Sequence, residues 1–152
     1  MAGASTNVTI DDKELQSFFA QVLDKTGDMT AVFADIGEHF LESTAQRFED
    51  QVDPEGNAWE PLSELTLSRK EKNADKVMIE SGDLMESMVS LPSSDALVFG
   101  TNKIYGAMHQ FGGTTSPESM FPGKDIPARP FLGVSNDDII AISDLLVLHL
   151  LD

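Results

Sequence analysis

The last stretch of the chain, Ile139 to Leu151, constrains the fold more than any other. Ile139, Ile140, Ile142, Leu145, Leu146, Val147, Leu148, Leu150 and Leu151 occupy nearly every face of a helix. A helix apolar all round has to be covered on most sides. The stretch contains Asp144 and is too short to span a bilayer. Two covers remain. One is the centre of the chain's own core. The other is a subunit interface, because a small domain has difficulty burying such a helix at its terminus. Ser135 and Asp138 stand before it at the spacing of a capping box, with Asp where Glu or Gln is usual. The helix is expected to open there and run to the C-terminus.

The other elements follow from periodicity and turn chemistry. Residues 5–10 suit a short strand. Asp11 and Asp12 then mark a helix start, and Leu15, Phe18, Phe19, Val22 and Leu23 form its apolar face up to a stop at Gly27. A second helix is predicted from about Asp28 to Glu49, with Met29, Val32, Phe33, Ile36 and Phe40 in one stripe. Asp53-Pro54-Glu55-Gly56 has turn chemistry, and Trp59 after it reads as a core plug. Residues 64–73 suggest a short helix. Leu84–Leu91 and Ala96–Thr101, split by Pro92-Ser93-Ser94-Asp95, predict an antiparallel hairpin. Ile104 to Phe111 predicts a short helix ended by Gly112-Gly113, followed by a mobile loop over 112–125 and an extended IPARPFLG segment. The expected fold class is α+β: an antiparallel sheet packed against an N-terminal helical hairpin and a C-terminal helix, in one domain spanning 1–152.

Composition narrows the chemistry. There are 26 acids against 10 bases, a formal net charge of −16. Such a surface repels DNA phosphate, so a sequence-reading DNA binder is disfavoured. A DNA mimic, or a wall past which DNA slides without specific binding, remains compatible, as does simple solubility. The absence of cysteine excludes disulfides and thiolate chemistry. MAGASTNVTI lacks the basic start and apolar run of a signal peptide, and a soluble protein with no membrane association is expected. Neither a phosphate loop nor a nucleophile elbow is present. Glu38, His39 and Glu42 have helical spacing, but no second histidine lies one turn away, so no metal and no cofactor are predicted. Arg69, Lys70, Lys72 and Lys76 form the main basic cluster. It reads as a solvated helix face or as a contact with an acidic neighbouring subunit.

A series of motifs stands in order over residues 47–133. Arg47-Phe48 precedes Pro54-Glu55-Gly56 and Trp59-Glu60-Pro61-Leu62, with Thr66 beyond. Ser81-Gly82-Asp83-Leu84, Ser87 and Phe99-Gly100-Thr101 follow. Next come Tyr105-Gly106-Ala107-Met108-His109-Gln110-Phe111-Gly112 and Ile126-Pro127-Ala128-Arg129-Pro130-Phe131-Leu132-Gly133. The series resembles the phage virion morphogenesis family, the tail-completion proteins of Mu-like and related phages. The family pattern has alanine where this chain has Gly106. The resemblance implies a non-enzymatic virion protein, made in the host cytoplasm and acting late in tail assembly at the head-proximal end. It also implies a homo-oligomeric ring, often sixfold, that takes part in head–tail joining. Its partners would be the tail tube and the neck or head-closure proteins. An acidic DNA-mimic inhibitor of phage origin is the alternative. The candidate interface residues are Trp59, Tyr105, His109, Phe111, Arg129, Phe131, Leu146 and Leu150. A neighbouring subunit is expected to order the 112–125 loop. The acids of residues 1–60 are the first candidates to line a DNA channel.

Overall fold

The computed structural model describes residues 12–62, 82–103, 105–118 and 122–151. The predicted strand at 5–10, the predicted helix at 64–73 and the basic cluster at Arg69, Lys70, Lys72 and Lys76 lie outside them. The elements, in chain order, are α1 (Lys13–Thr26), α2 (Thr30–Asp50), α3 (Asp83–Glu86), β1 (Met88–Pro92), β2 (Leu97–Thr101), α4 (Gly106–Phe111), β3 (Gly113–Thr114), β4 (Asp125–Ile126) and α5 (Asn136–Leu151). This is the expected α+β class, with an N-terminal helical pair and a C-terminal helix. The described residues form two compact units whose segments alternate along the chain. One takes residues of 12–43, 89–99 and 134–151; the other takes those of 44–62, 82–88 and 100–133.

The first unit is mainly helical. Asp12 opens α1 by accepting a 3.0 Å hydrogen bond from the Leu15 amide. Gly27 closes it with φ +69°, a left-handed cap whose N–H reaches the Leu23 carbonyl. Asp28 then accepts from both the amide and the hydroxyl of Thr30 at the start of α2. The core joins Leu15 and Val22 of α1 to Met29, Val32, Ile36, Ile142 and Leu146. Leu97 of β2 packs on the same cluster. A Cβ on Gly37 would collide with the Ser90 hydroxyl and press on the Ser90 Cβ, so glycine favours this close approach of β1 to α2.

Helix α5 packs on α1 and begins with the predicted capping box. The Ser135 amide donates to Asp138 Oδ2 at 2.9 Å, and the Asp138 amide donates to Ser135 Oγ at 3.0 Å. At its other end, Lys25 Nζ donates to the carbonyls of His149 and Leu150, which have no helical partner. Ile142 and Leu146 are buried, whereas Ile140, Leu148 and Leu151 are exposed. The unit therefore covers one face of α5 and leaves an apolar face open.

The second unit is built from turns and short elements. Asp53 Oδ1 accepts from the amides of Glu55 and Asn57, and Gly56 takes φ +87°, which forms the predicted turn. The hairpin β1–β2, whose residues 89–99 belong to the first unit, is present, but its first strand begins at Met88 and not at Leu84. Residues 83–86 instead form one helical turn. The Glu86 amide bonds to the Gly82 carbonyl and the Ser87 amide to that of Leu84, and Leu84 is buried. The segment Leu84-Met85-Glu86-Ser87 lacks the strict alternation a half-buried strand needs. The 112–125 segment, expected to be a mobile loop, carries regular pairing at its ends. There β3 and β4 pair antiparallel, Gly113 with Ile126 and Thr114 with Asp125. Thr115 extends this ribbon by accepting from the Lys124 amide through its hydroxyl and donating its own amide to the Lys124 carbonyl.

Candidate assembly surface

The segment 127–133 poses a problem that its neighbours solve. Pro127 and Pro130 remove two amides, and the segment pairs with no described strand, so its remaining polar groups need other partners. Side chains supply them. The Gln110 amide oxygen accepts from the amides of Phe131 and Leu132, each at 3.0 Å, while its nitrogen donates to the Leu132 carbonyl at 3.1 Å. Arg47 donates to the carbonyls of Phe131 and Gly133. The Trp59 indole N–H donates to the Pro130 carbonyl at 2.8 Å. Arg129 donates its own amide to the His109 carbonyl and its guanidinium to the carbonyls of Glu60 and Pro61. Phe48 stands between Trp59 and Phe131, with ring centroids 5.4 and 5.6 Å away.

The candidate interface residues therefore divide. Trp59, Arg129 and Phe131 are buried fastenings of the second unit, and Leu146 is wholly buried in the first. Leu150 is half-buried. Tyr105 and Phe111 are exposed and present aromatic surface to solvent. His109 lies edge-on to Tyr105 at 6.0 Å. Its Nδ1 is buried without a partner. Burial holds the imidazole below its ordinary pKa, and the nearby Arg129 cation adds to the effect. Burial also lowers the pKa of the Arg129 guanidinium, opposed by Glu60. Beside Arg129 lies a groove of about 390 Å³ whose apolar walls include Pro61, Leu62, Ile126 and Pro127. Arg47 and Gln110 stand within the sequence motifs, but nothing in their immediate neighbours marks the clamp they form. The signal was the pair of prolines in IPARPF, which leaves carbonyls in want of donors.

In the first unit, His39 Nε2 donates to Asp138 Oδ1 at 2.7 Å and His149 Nε2 donates to Asp35 Oδ2 at 2.7 Å. Both histidines tie α2 to α5. Among the described residues, no group of three or more His, Cys, Asp and Glu could hold a metal ion, and no helix is long and apolar enough to cross a membrane. The exposed groups are suited to packing and ion pairing. They include Leu23, Ile140, Leu148 and Leu151, with carboxylates among them.

The sequence pattern of the phage virion morphogenesis family matches residues 10–151. The chain belongs to that family. The match extends the resemblance from residues 47–133 to nearly the whole chain, both helical ends included. A relative in Escherichia phage Mu, described as capsid assembly protein G, is 33% identical over 135 residues, covering 84% of this chain and 83% of its own. Tail completion protein S of Escherichia phage P2 is 26% identical over 125 residues, covering 77% of this chain and 81% of its own. The Mu-like prophage FluMu G protein 2 of Haemophilus influenzae is 36% identical over 61 residues, covering 40% of this chain and 42% of its own. No solved structure matches. Membership assigns the chain to phage virion morphogenesis and makes it a virion-associated protein.

Proposed function

We propose that the chain is a non-enzymatic subunit that completes the phage tail. It forms a ring, with six copies as the first expectation, at the head-proximal end of the tail and takes part in joining tail to head. Its partners are further copies of itself, the tail tube and the neck or head-closure proteins. DNA passes through without specific binding. The observation that carries this reading is the likeness to tail completion protein S over 77% of the chain. The apolar face of α5 supports the assembly part of it, because exposed Ile140, Leu148 and Leu151 need a cover that their own unit does not give. The charge supports the passage part: Lys and Arg hold DNA by releasing counterions, and carboxylates do not.

Electron microscopy of particles made without the protein tests the reading. Filled heads and separate tails should accumulate, and added purified protein should join them. Joined, infectious particles in its absence would overturn it. Native mass spectrometry of the purified chain should show a closed ring.

A further inference from the structure

Within the first unit, α2 and α5 border an open groove of about 390 Å³. Its apolar lining is Ala141, Leu145 and Leu148, the last 59% exposed. Its acidic lining is Asp35, Glu38 and Glu42 from α2 and Asp144 from α5. Asp35, Glu38 and Glu42 fall at helical spacing, so they share one face of α2. Among the described residues, neither lysine nor arginine lines the groove. His39 is engaged by Asp138, and Asp35 by His149. Glu38, Glu42 and Asp144 are left exposed with no cationic partner among the described residues. Apolar and unpaired acidic groups side by side suit a chain segment that brings both cations and apolar side chains.

The sequence contains one such segment. Four of the ten bases, Arg69, Lys70, Lys72 and Lys76, lie within eight residues, and Glu71 and Asp75 are the acids between them. Val77, Met78 and Ile79 follow directly. We propose that the α2–α5 groove of one subunit receives the 69–79 segment of a second copy. The contact joins two different surfaces of identical chains. Such a heterologous contact closes into a ring when its rotation allows. The inference rests on the ring reading and names the surfaces that would build it. It also covers Leu148, which α5 leaves exposed. Carboxylates of one copy and cations of the next would offset locally the repulsion that like-charged subunits otherwise feel.

Charge reversal in the full chain tests it, read by sedimentation velocity at about 150 mM salt, where surface charges are screened beyond about 8 Å. One variant carries Glu38→Lys, Glu42→Lys and Asp144→Lys. The other carries Arg69→Glu, Lys70→Glu and Lys72→Glu. Each alone should associate at least tenfold more weakly than wild type. An equimolar mixture should recover most of the association, because each reversed surface then meets its complement. If either variant fails to fold by circular dichroism, the neutral sets with Gln or Asn are used, and each should weaken association several-fold. Association within twofold of wild type for either variant overturns the groove contact and leaves the ring reading standing. Weakening without recovery in the mixture also overturns it and points to a contact within one chain. Wild type that stays monomeric at every concentration overturns the ring reading itself.

Discussion

Gln110 shows how much one buried side chain can hold. It is 6% exposed and makes three hydrogen bonds to the backbone of Phe131 and Leu132. Truncation to alanine leaves two amides and a carbonyl without partners, and each orphaned buried group costs about 1–3 kcal/mol. Gln110→Ala should therefore lower the unfolding free energy by roughly 3 kcal/mol or more, measured by urea titration. A loss below about 1 kcal/mol would show that the segment keeps its place without the clamp. Nearby His109 makes a pH prediction. Its pKa in the folded chain lies below the ordinary 6.5, through burial first and Arg129 second. In the window between the two values the unfolded chain binds a proton that the folded chain does not. Stability from this residue is thus fully present above pH 6.5 and is lost as pH falls toward the folded value. The slope is at most about 1.4 kcal/mol per pH unit. His109→Gln should flatten the decline in stability between about pH 7 and 5 relative to wild type. Identical slopes for the two proteins would remove His109 from the account.

At the scale of elements, α5 shows what periodicity can and cannot reveal. Its start was legible because the capping box is a local device: Ser135 and Asp138 satisfy each other's amides within one turn. The second use of Asp138 was not legible, since His39 reaches it from 99 positions away in sequence. The same contrast runs through the molecule. Asp12, Gly27 and the Asp53–Gly56 turn act on their own neighbourhood and could be anticipated. The clamp of Arg47, Trp59 and Gln110 joins distant segments and could not. The helical turn at 83–86 is too short for a helical period to show: Asp83-Leu84-Met85-Glu86 spans a single turn. Asp138 yields a graded prediction. Ser135→Ala removes one cap acceptor and should cost about 1 kcal/mol. Asp138→Ala also orphans the Ser135 amide and the His39 imidazole in a site only 1% exposed, and should cost roughly 2–4 kcal/mol. A double-mutant cycle with His39→Ala should give a coupling of about 0.5–3 kcal/mol. Equal costs for the two single variants, or no coupling, would mean that the long-range bond contributes nothing.

The proposed ring would assemble against the net charge of its own subunits. Each copy carries a formal −16, so two copies repel over their entire surfaces. The reach of that repulsion is set by salt: about 30 Å at 0.01 M and about 8 Å at 0.15 M. The proposed groove contact acts at much shorter range, where cations of one copy would meet carboxylates of the next beside apolar side chains. Moderate salt should screen the long-range repulsion before it weakens the short-range attraction. Self-association, followed by sedimentation velocity, should therefore strengthen from about 10 to 150 mM sodium chloride and weaken again toward 1 M, where the screening length is about 3 Å. The Arg69→Glu, Lys70→Glu, Lys72→Glu variant adds negative charge and removes the attraction. Its residual association should rise with salt throughout and show no later decline. A wild-type association that falls steadily from the lowest salt would mean that repulsion between subunits never governs assembly. One that rises steadily to 1 M would mean that copies meet through apolar faces such as that of α5, with no ionic contact that salt can weaken.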